Sequence, residues 1–137
     1  MDKALNYMAL ARKGGRIELG EEPVGAAARA VKACLVMVAG DASDHTWRRA
    51  NSFVAGTAQQ CIRLSYTKDE LGMAIGRSSL AIAAFTDPAM ALAFVKALPQ
   101  SEKYAQAAEA LAGRTQRVQQ RQKEAKAHLK NVRKGKK

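Results

Sequence analysis

Residues 16–41, RIELGEEPVGAAARAVKACLVMVAGD, contain the clearest structural signals of the chain. They predict a short strand that ends at Gly20, a turn with a proline, and an alanine-rich helix. An apolar strand follows at residues 34–39. Because this strand does not alternate apolar with polar residues, we expect it to be central and covered on both faces. A glycine turn that leads into a helix beside a buried strand is a frequent binding position in α/β domains.

Helix signals flank this stretch on both sides. Asp2 is a predicted cap for a first helix that ends in the run Arg12-Lys13-Gly14-Gly15. Thr67 and Glu70 form a predicted capping box, and Asp87-Pro88 starts a later helix. Strands are predicted at residues 17–19, 34–39, 60–64 and 80–85. Strands that alternate with helices predict an α/β fold, a three-layer α/β/α sandwich around a small parallel or mixed sheet.

The charge of the chain is concentrated at its C-terminal end. The 137 residues carry a net charge of +11. Residues 1–100 contain 12 Lys/Arg and 9 Asp/Glu, whereas residues 101–137 contain 11 and 3. We therefore divide the chain into a folded domain, 1–100, and a basic extension, 101–137. This charge indicates a polyanionic partner such as nucleic acid, and a solubilising tail is the alternative.

The first and last parts of the extension are predicted to differ in structure. Ser101 is a candidate cap for a helix that packs through Tyr104, Ala107, Ala108 and Leu111, and Gly113 is expected to interrupt it. Beyond Gly113 large apolar residues are rare. A frayed helix or disorder is expected there, because so little apolar surface can be buried.

The apolar runs and the cysteines indicate where in the cell the protein is expected to reside. We expect no membrane association, since the sequence has no apolar run near the roughly 20 residues that a spanning helix needs. Cys34 and Cys61 lie in apolar runs and lack the spacing of zinc ligands. They are interpreted as buried thiols in a reducing cytoplasm, with a disulfide between strands as the alternative.

Enzyme signatures are missing from the sequence. It has no phosphate-binding loop, dinucleotide fingerprint or nucleophile elbow. His45 and His128 are interpreted as surface residues. Glu21 and Glu22 are interpreted as partners of a helix dipole rather than catalytic carboxylates. The sequence thus predicts no enzymatic activity, no catalytic residues, no cofactor, no metal and no small-molecule substrate.

Several cations and hydroxyls lie at the ends of predicted elements: Lys13, Arg16, Arg77, Ser78 and Ser79. Loops at one edge of a layered α/β fold can form one surface. Cations on such a surface would position a phosphate backbone without reading bases. The alternative is that these residues are cations scattered over the loops of a basic protein.

Two motifs carry a resemblance to a known family. One is residues 35–43, LVMVAGDAS, a strand that leads into an acid-x-Ser step. The other is TKDELGMAIG at residues 67–76, which contains LGxAxG. With Ala11-Arg12-Lys13, Gly15, Gly20-Glu21-Glu22 and residues 81–87, they cover about residues 4–98. The chain resembles the L-seven-Ae/L-thirty-e ribosomal protein family, which binds kink-turn and related RNAs, and within it the bacterial YlxQ-like branch.

This resemblance implies a four-stranded mixed sheet and an RNA site made by two loops. The first loop lies between the first strand and the second helix, and the second follows LGxAxG. Together with the cations above, the implied RNA-binding residues are Lys13, Arg16, Gly20, Glu21, Glu22, Arg77, Ser78 and Ser79. The kink-turn motif G-x-N-E-x-x-K falls on Gly20, Glu22, Pro23 and Ala26, and only the glycine is kept.

These departures change the chemistry of the first loop. A carboxylate at position 22, about 5–6 Å from a phosphate, costs on the order of 3 kcal/mol at an effective dielectric constant near 20. We therefore expect a cytoplasmic RNA-binding protein, ribosomal or ribosome-associated, that binds structured RNA non-catalytically. The alternative is a protein-interaction module on the same fold that has lost kink-turn binding.

Overall fold

A computed structural model describes the backbone of residues 2–135 and the side chains of residues 2–127. It contains four strands, six α-helices and one 3₁₀ helix. The strands are β1 (Ile17–Leu19), β2 (Leu35–Val38), β3 (Gln60–Arg63) and β4 (Ile82–Phe85). The helices are α1 (Lys3–Lys13), α2 (Glu21–Arg29), α3 (Asp44–Val54), α4 (Lys68–Ala74), α5 (Pro88–Ala97) and α6 (Ala105–Gly135), with the 3₁₀ helix at Ser101–Tyr104.

The strands form one mixed sheet in the order β1-β4-β2-β3. Strand β4 pairs antiparallel with both β1 and β2, whereas β2 and β3 are parallel. Every residue of β2 and β4 is buried. These two strands are central and lack polar residues, which agrees with the predicted central position of β2.

Helices cover the sheet on both sides. Helices α2 and α3 pack on each other and on the sheet, while α1, α4, α5 and α6 form a second connected layer. Phe85 and Phe94 are fully buried between β4 and α5, and their ring centroids are 5.0 Å apart. The predicted α/β/α sandwich with a four-stranded mixed sheet is confirmed.

The helix starts follow from side-chain caps. Asp2, Ser43, Thr67 and Asp87 each accept a hydrogen bond from a backbone N–H in the first turn of their helix. Thr67 and Glu70 form the complete capping box. These caps satisfy N–H groups that have no partner inside the helix, so the sequence could locate these helix starts.

The C-terminal segment differs from the sequence prediction. Ser101 begins a 3₁₀ helix rather than capping an α-helix, and α6 continues through Gly113 without a break. The cost of glycine within a helix, about 1 kcal/mol, is too small to end one on its own. Ala107 and Leu111 are buried, as predicted. In the part of the chain that the structure describes, no helix has the length and apolar character to cross a membrane.

Candidate nucleic-acid interface

The sheet register brings four chain segments to one edge, which we call the loop edge. The Gly20 N–H donates to the carbonyl of Ile82 (3.0 Å), so the end of β1 lies beside the start of β4. The Ala39 N–H donates to Ala81 (2.9 Å), and β3 ends beside β2. The loop edge therefore consists of residues 20–23, 39–43, 64–67 and 76–81. It unites the two loops that the sequence predicted to form an RNA site.

The first of these loops turns sharply at Gly20. Its φ of 94° lies in the region that favours glycine, and its carbonyl accepts the Val24 N–H at 3.1 Å. Gly20 offers no side-chain cap, so Glu21 and Glu22 supply negative charge in the first turn of α2. Glu21 forms a salt bridge with Arg49 of α3, and the Arg49 guanidinium lies 5.4 Å from the Phe53 ring centroid.

The second loop folds back over α4. The Arg77 N–H donates to the Gly72 carbonyl at 2.8 Å. A Cβ at position 72 would lie 2.6 Å from the Cα of Ser79, so this close approach requires glycine. Arg77, Ser78 and Ser79 are exposed. Gly72, the first glycine of LGxAxG, has no side chain and therefore lets the loop pack directly against α4.

Acidic residues cluster at the helix starts of the loop edge. Helices α2, α3 and α4 all begin there, and acidic residues occupy their first turns or the adjoining loops. These acids are Glu21, Glu22, Asp41, Asp44, Asp69 and Glu70. Cations reach the same edge: Lys68 and Arg77 belong to it, Arg49 pairs with Glu21, Arg63 donates to the Ala42 carbonyl, and the Arg12 guanidinium lies beside Gly76. Asp41 accepts the Lys68 N–H at 2.8 Å and joins two of the loops. The acids stabilise the helix N-termini by about 0.3–1 kcal/mol each, but they disfavour a phosphate.

Lys13 and Arg16 lie elsewhere. Arg16 precedes β1, and its carbonyl accepts the Thr86 N–H (2.9 Å) just after β4. Its guanidinium is 3.7 Å from the Asp87 carboxylate, and Lys13 is the last residue of α1 in the preceding turn. The structure therefore does not bring Arg16 together with Arg77–Ser79, although Arg12, near the end of α1, reaches Gly76 at the start of that loop. The antiparallel direction of β4 places the start of β1 at the opposite end of the sheet.

That opposite end contains a cluster of cations, which we call the basic edge: Lys13, Arg16, Lys32 and Arg114. Lys32 lies in the turn between α2 and β2, beside Val31. The Arg114 guanidinium of α6 is 3.4 Å from the Val31 carbonyl. Burial raises the pKa of the Cys34 thiol at this edge, while the nearby Arg114 charge opposes that rise. Arg114 was missed because the sequence does not reveal that α6 reaches this edge, and Lys32 lies in a turn that carries no recognisable motif.

Helix α6 connects the two edges. The Tyr104 hydroxyl donates to the Arg63 carbonyl at the end of β3 (2.8 Å), which holds the start of α6 near the loop edge. Leu111 is buried, and Arg114 reaches the basic edge. The side chains of residues 116–127 are exposed. From residue 114 to residue 135 a helix spans about 33 Å. The outer part of α6 therefore extends past the basic edge.

Other sequence predictions concern single residues. His45 is exposed in the first turn of α3, whereas His128 lies outside the residues whose side chains the structure describes. Cys34 and Cys61 are free thiols, the first buried and the second partly buried. Among the described residues, no three His, Cys, Asp or Glu side chains form a group that could hold a metal ion.

Comparisons with known proteins place the fold among solved structures. No protein-family model matches the chain, and no curated protein matches it in sequence. A protein with unknown function from Bacillus halodurans has a similar structure, with a TM-score of 0.62 and 22% identity over 80% of this chain and 99% of that chain. The Giardia lamblia 15.5kD RNA binding protein is also similar, with a TM-score of 0.58 and 20% identity over 78% of this chain and 85% of that chain. At these identities the similarity establishes the fold alone.

Proposed function

We propose that this protein binds structured RNA without catalysing a reaction, as a ribosomal or ribosome-associated protein of the L-seven-Ae/L-thirty-e type, in its YlxQ-like branch, and that it acts in the cytoplasm. The observation that carries the proposal is the meeting of two loops at the loop edge. The Gly20 N–H bonds to Ile82, three residues after Ser79, so the β1–α2 loop adjoins the α4–β4 loop.

Two further observations support this proposal. The fold is shared with the Giardia protein, which is named for RNA binding. The net charge of +11 also favours a polyanion. At the loop edge, the exposed hydroxyls of Ser78 and Ser79 and the Arg77 guanidinium would contact phosphate and sugar, which positions an RNA without reading its bases.

The direct test is to crosslink RNA to the protein in cells and to sequence the RNA that is recovered. We expect enrichment of a small set of structured RNAs, with ribosomal RNA prominent among them. Peptide mapping of the crosslinks should find residues of the protein attached to nucleotides. Recovery of RNA at the level of an uncrosslinked control would contradict the proposal.

A protein partner is the second candidate. The carboxylates of the loop edge disfavour phosphate, and an apolar groove of about 410 Å³ lies between α1 and α4. Met73, which is 77% exposed, lines this groove together with Leu5 and Tyr66. A partner that stays bound through exhaustive ribonuclease treatment, with no RNA crosslinks to the protein, would favour this function over RNA binding.

A further inference from the structure

The net positive charge of this molecule is distributed unevenly between its two ends. At the loop edge acids and cations are mixed, whereas the outer part of α6, which extends from the basic edge, carries most of the net positive charge. Residues 114–137 contain ten Lys/Arg and one acid, Glu124. Residues 1–113 have 13 Lys/Arg and 11 Asp/Glu, a net charge of only +2. Affinity for a polyanion should therefore reside mainly outside the loop edge.

We propose that the basic edge and the outer part of α6 form a second RNA-binding surface, which holds the phosphate backbone of a double-stranded RNA segment. This inference rests on the proposed RNA-binding function. It assigns a separate role to the end of the molecule that faces away from the loop edge. Strands β2 and β4 have four residues each, so about 13 Å of sheet separates the two surfaces.

The position of α6 supports this assignment. The helix is fixed to the domain at its start by the hydrogen bond from Tyr104 to Arg63 and in its middle by the buried Leu111. The domain therefore fixes the inner part of the helix, and the outer part begins at the basic edge, where Arg114 lies. Arg114 joins the two, because its guanidinium lies beside the turn that holds Lys32.

The cations of the outer part are available to a ligand. Arg117, Arg121, Lys123 and Lys126 are exposed. Among the side chains described for α6, none takes part in a salt bridge, and Glu124 accepts a hydrogen bond from Gln120 at 3.1 Å. Each cation that neutralises a phosphate releases a condensed counterion, which supplies affinity at moderate salt.

The side chains on this surface favour a duplex over a single strand. Proteins that bind single-stranded RNA stack its bases on aromatic side chains. No Phe, Tyr or Trp occurs after Tyr104 in the sequence, and none lies in the segments 12–16 and 29–33 beside the basic edge. Arginine, lysine and glutamine can contact phosphates and 2′-hydroxyls, which a double helix presents on its outside.

The test compares two charge-matched variants of the full chain. The first, R117Q/R121Q/K123Q, neutralises three exposed cations of the outer part of α6. The second, K3Q/K96Q/K103Q, removes the same charge from three exposed lysines toward the loop-edge end, where α1 begins and α5 ends. Glutamine is a good helix former, so both variants should fold, which circular dichroism checks.

Binding is measured by fluorescence anisotropy with an unbulged RNA duplex of about 20 base pairs, over a range of salt concentrations. We expect the α6 variant to bind about 10- to 100-fold more weakly than the parent protein, and its slope of log affinity against log salt to be smaller by about 2–3. The matched variant should lose no more than about threefold. Equal losses in the two variants, or tighter binding of the single strand than of the duplex, would overturn the inference.

A second RNA separates the two proposals. If the parent protein binds a bulged, structured RNA but not the plain duplex, the second surface is refuted while the proposed function stands. If the parent protein binds neither RNA, the proposed function itself fails. Binding of both RNAs, with a larger loss of affinity for the duplex than for the bulged RNA in the α6 variant, supports two separate surfaces.

Discussion

Val31 combines a left-handed backbone with a β-branched side chain. Its φ is 56°, and it is 53% exposed. The Val31 N–H donates to Ala28 and the Lys32 N–H to Ala27, a Schellman motif whose left-handed position usually holds glycine. Val31 lies outside the core because α2 ends at Arg29, before the next turn of its buried face.

Replacing Val31 with glycine should stabilise the domain. Glycine adopts a positive φ without steric cost, so we expect Val31→Gly to raise the free energy of unfolding by about 1 kcal/mol. Urea denaturation measures this change. Val31→Ala is the control, because alanine keeps a Cβ and should gain less. An alanine variant as stable as the glycine variant would contradict the backbone explanation.

Ionisation of Cys61 should lower the stability of the protein at alkaline pH. Burial raises the pKa of its thiol from 9.0 to about 12. Below pH 9 the thiol is protonated in both the folded and unfolded states, and its contribution to stability is complete. As the pH rises above 9 the unfolded chain ionises first, so the free energy of unfolding should fall. In reducing buffer, Cys61→Val should show a shallower decline between pH 9 and 10.5 than the parent protein; identical pH profiles would exclude this cause.

Helix α6 has two parts with different roles. The inner part contributes Ala107 and Leu111 to the core, whereas residues 116–127 are exposed. Deleting residues 114–137 removes the 3.4 Å hydrogen bond of Arg114 and little else that the domain uses. We expect this deletion to change the free energy of unfolding by no more than about 0.5–1 kcal/mol. Leu111→Ala should cost about 2–4 kcal/mol. A large loss on deletion would show that the outer part supports the fold.

The β1–α2 loop keeps the glycine of the kink-turn motif but not its polar side chains. Glu22, Pro23 and Ala26 are exposed at the start of α2, so substitutions there should not disturb the core. The variant E22N/P23E/A26K moves the carboxylate from position 22 to 23 and adds a lysine, a net change of +1, and it supplies an amide and a carboxylate that can hydrogen-bond base edges. We expect its affinity for a kink-turn RNA to rise by about tenfold or more. Affinity for a plain duplex should change little. Unchanged kink-turn affinity would mean that this loop does not contact the RNA.

At the level of elements, the sequence correctly predicted those features that depend on neighbouring residues. Caps such as Thr67 and turns such as Gly20 act within a few residues, so helix starts and strand positions were recognisable. The direction of β4 depends on contacts with distant strands and leaves no local signal. For that reason Arg16 was grouped with Arg77 although they lie at opposite edges, and the path of α6 to Val31 was not foreseen.

At the scale of the whole molecule, the order of strands and helices influences where the charges lie. Three of the four strands end at the loop edge, where the helices that follow begin, and acids are favourable near helix N-termini. The ends of α1 and α2 face the other way and carry cations, as in Lys13 and Arg29. Helix α6 adds its charge to that end. The dipole preferences of α2, α3 and α4 therefore concentrate acids at the loop edge. Helix α5 runs in the opposite direction, with its cap Asp87 at the basic edge and Lys96 toward the loop edge.

This uneven distribution of charge predicts how salt acts on the complete protein. For the full chain, the logarithm of affinity for structured RNA should fall steeply with the logarithm of salt concentration, by roughly 0.7–0.9 for each neutralised phosphate. Deleting residues 114–137 lowers the net charge from +11 to +2 and should flatten that slope. The truncated protein should still distinguish structured from unstructured RNA, because the loop edge is intact. Titrations at four or more salt concentrations measure both slopes, and equal slopes would show that α6 contributes no phosphate contacts.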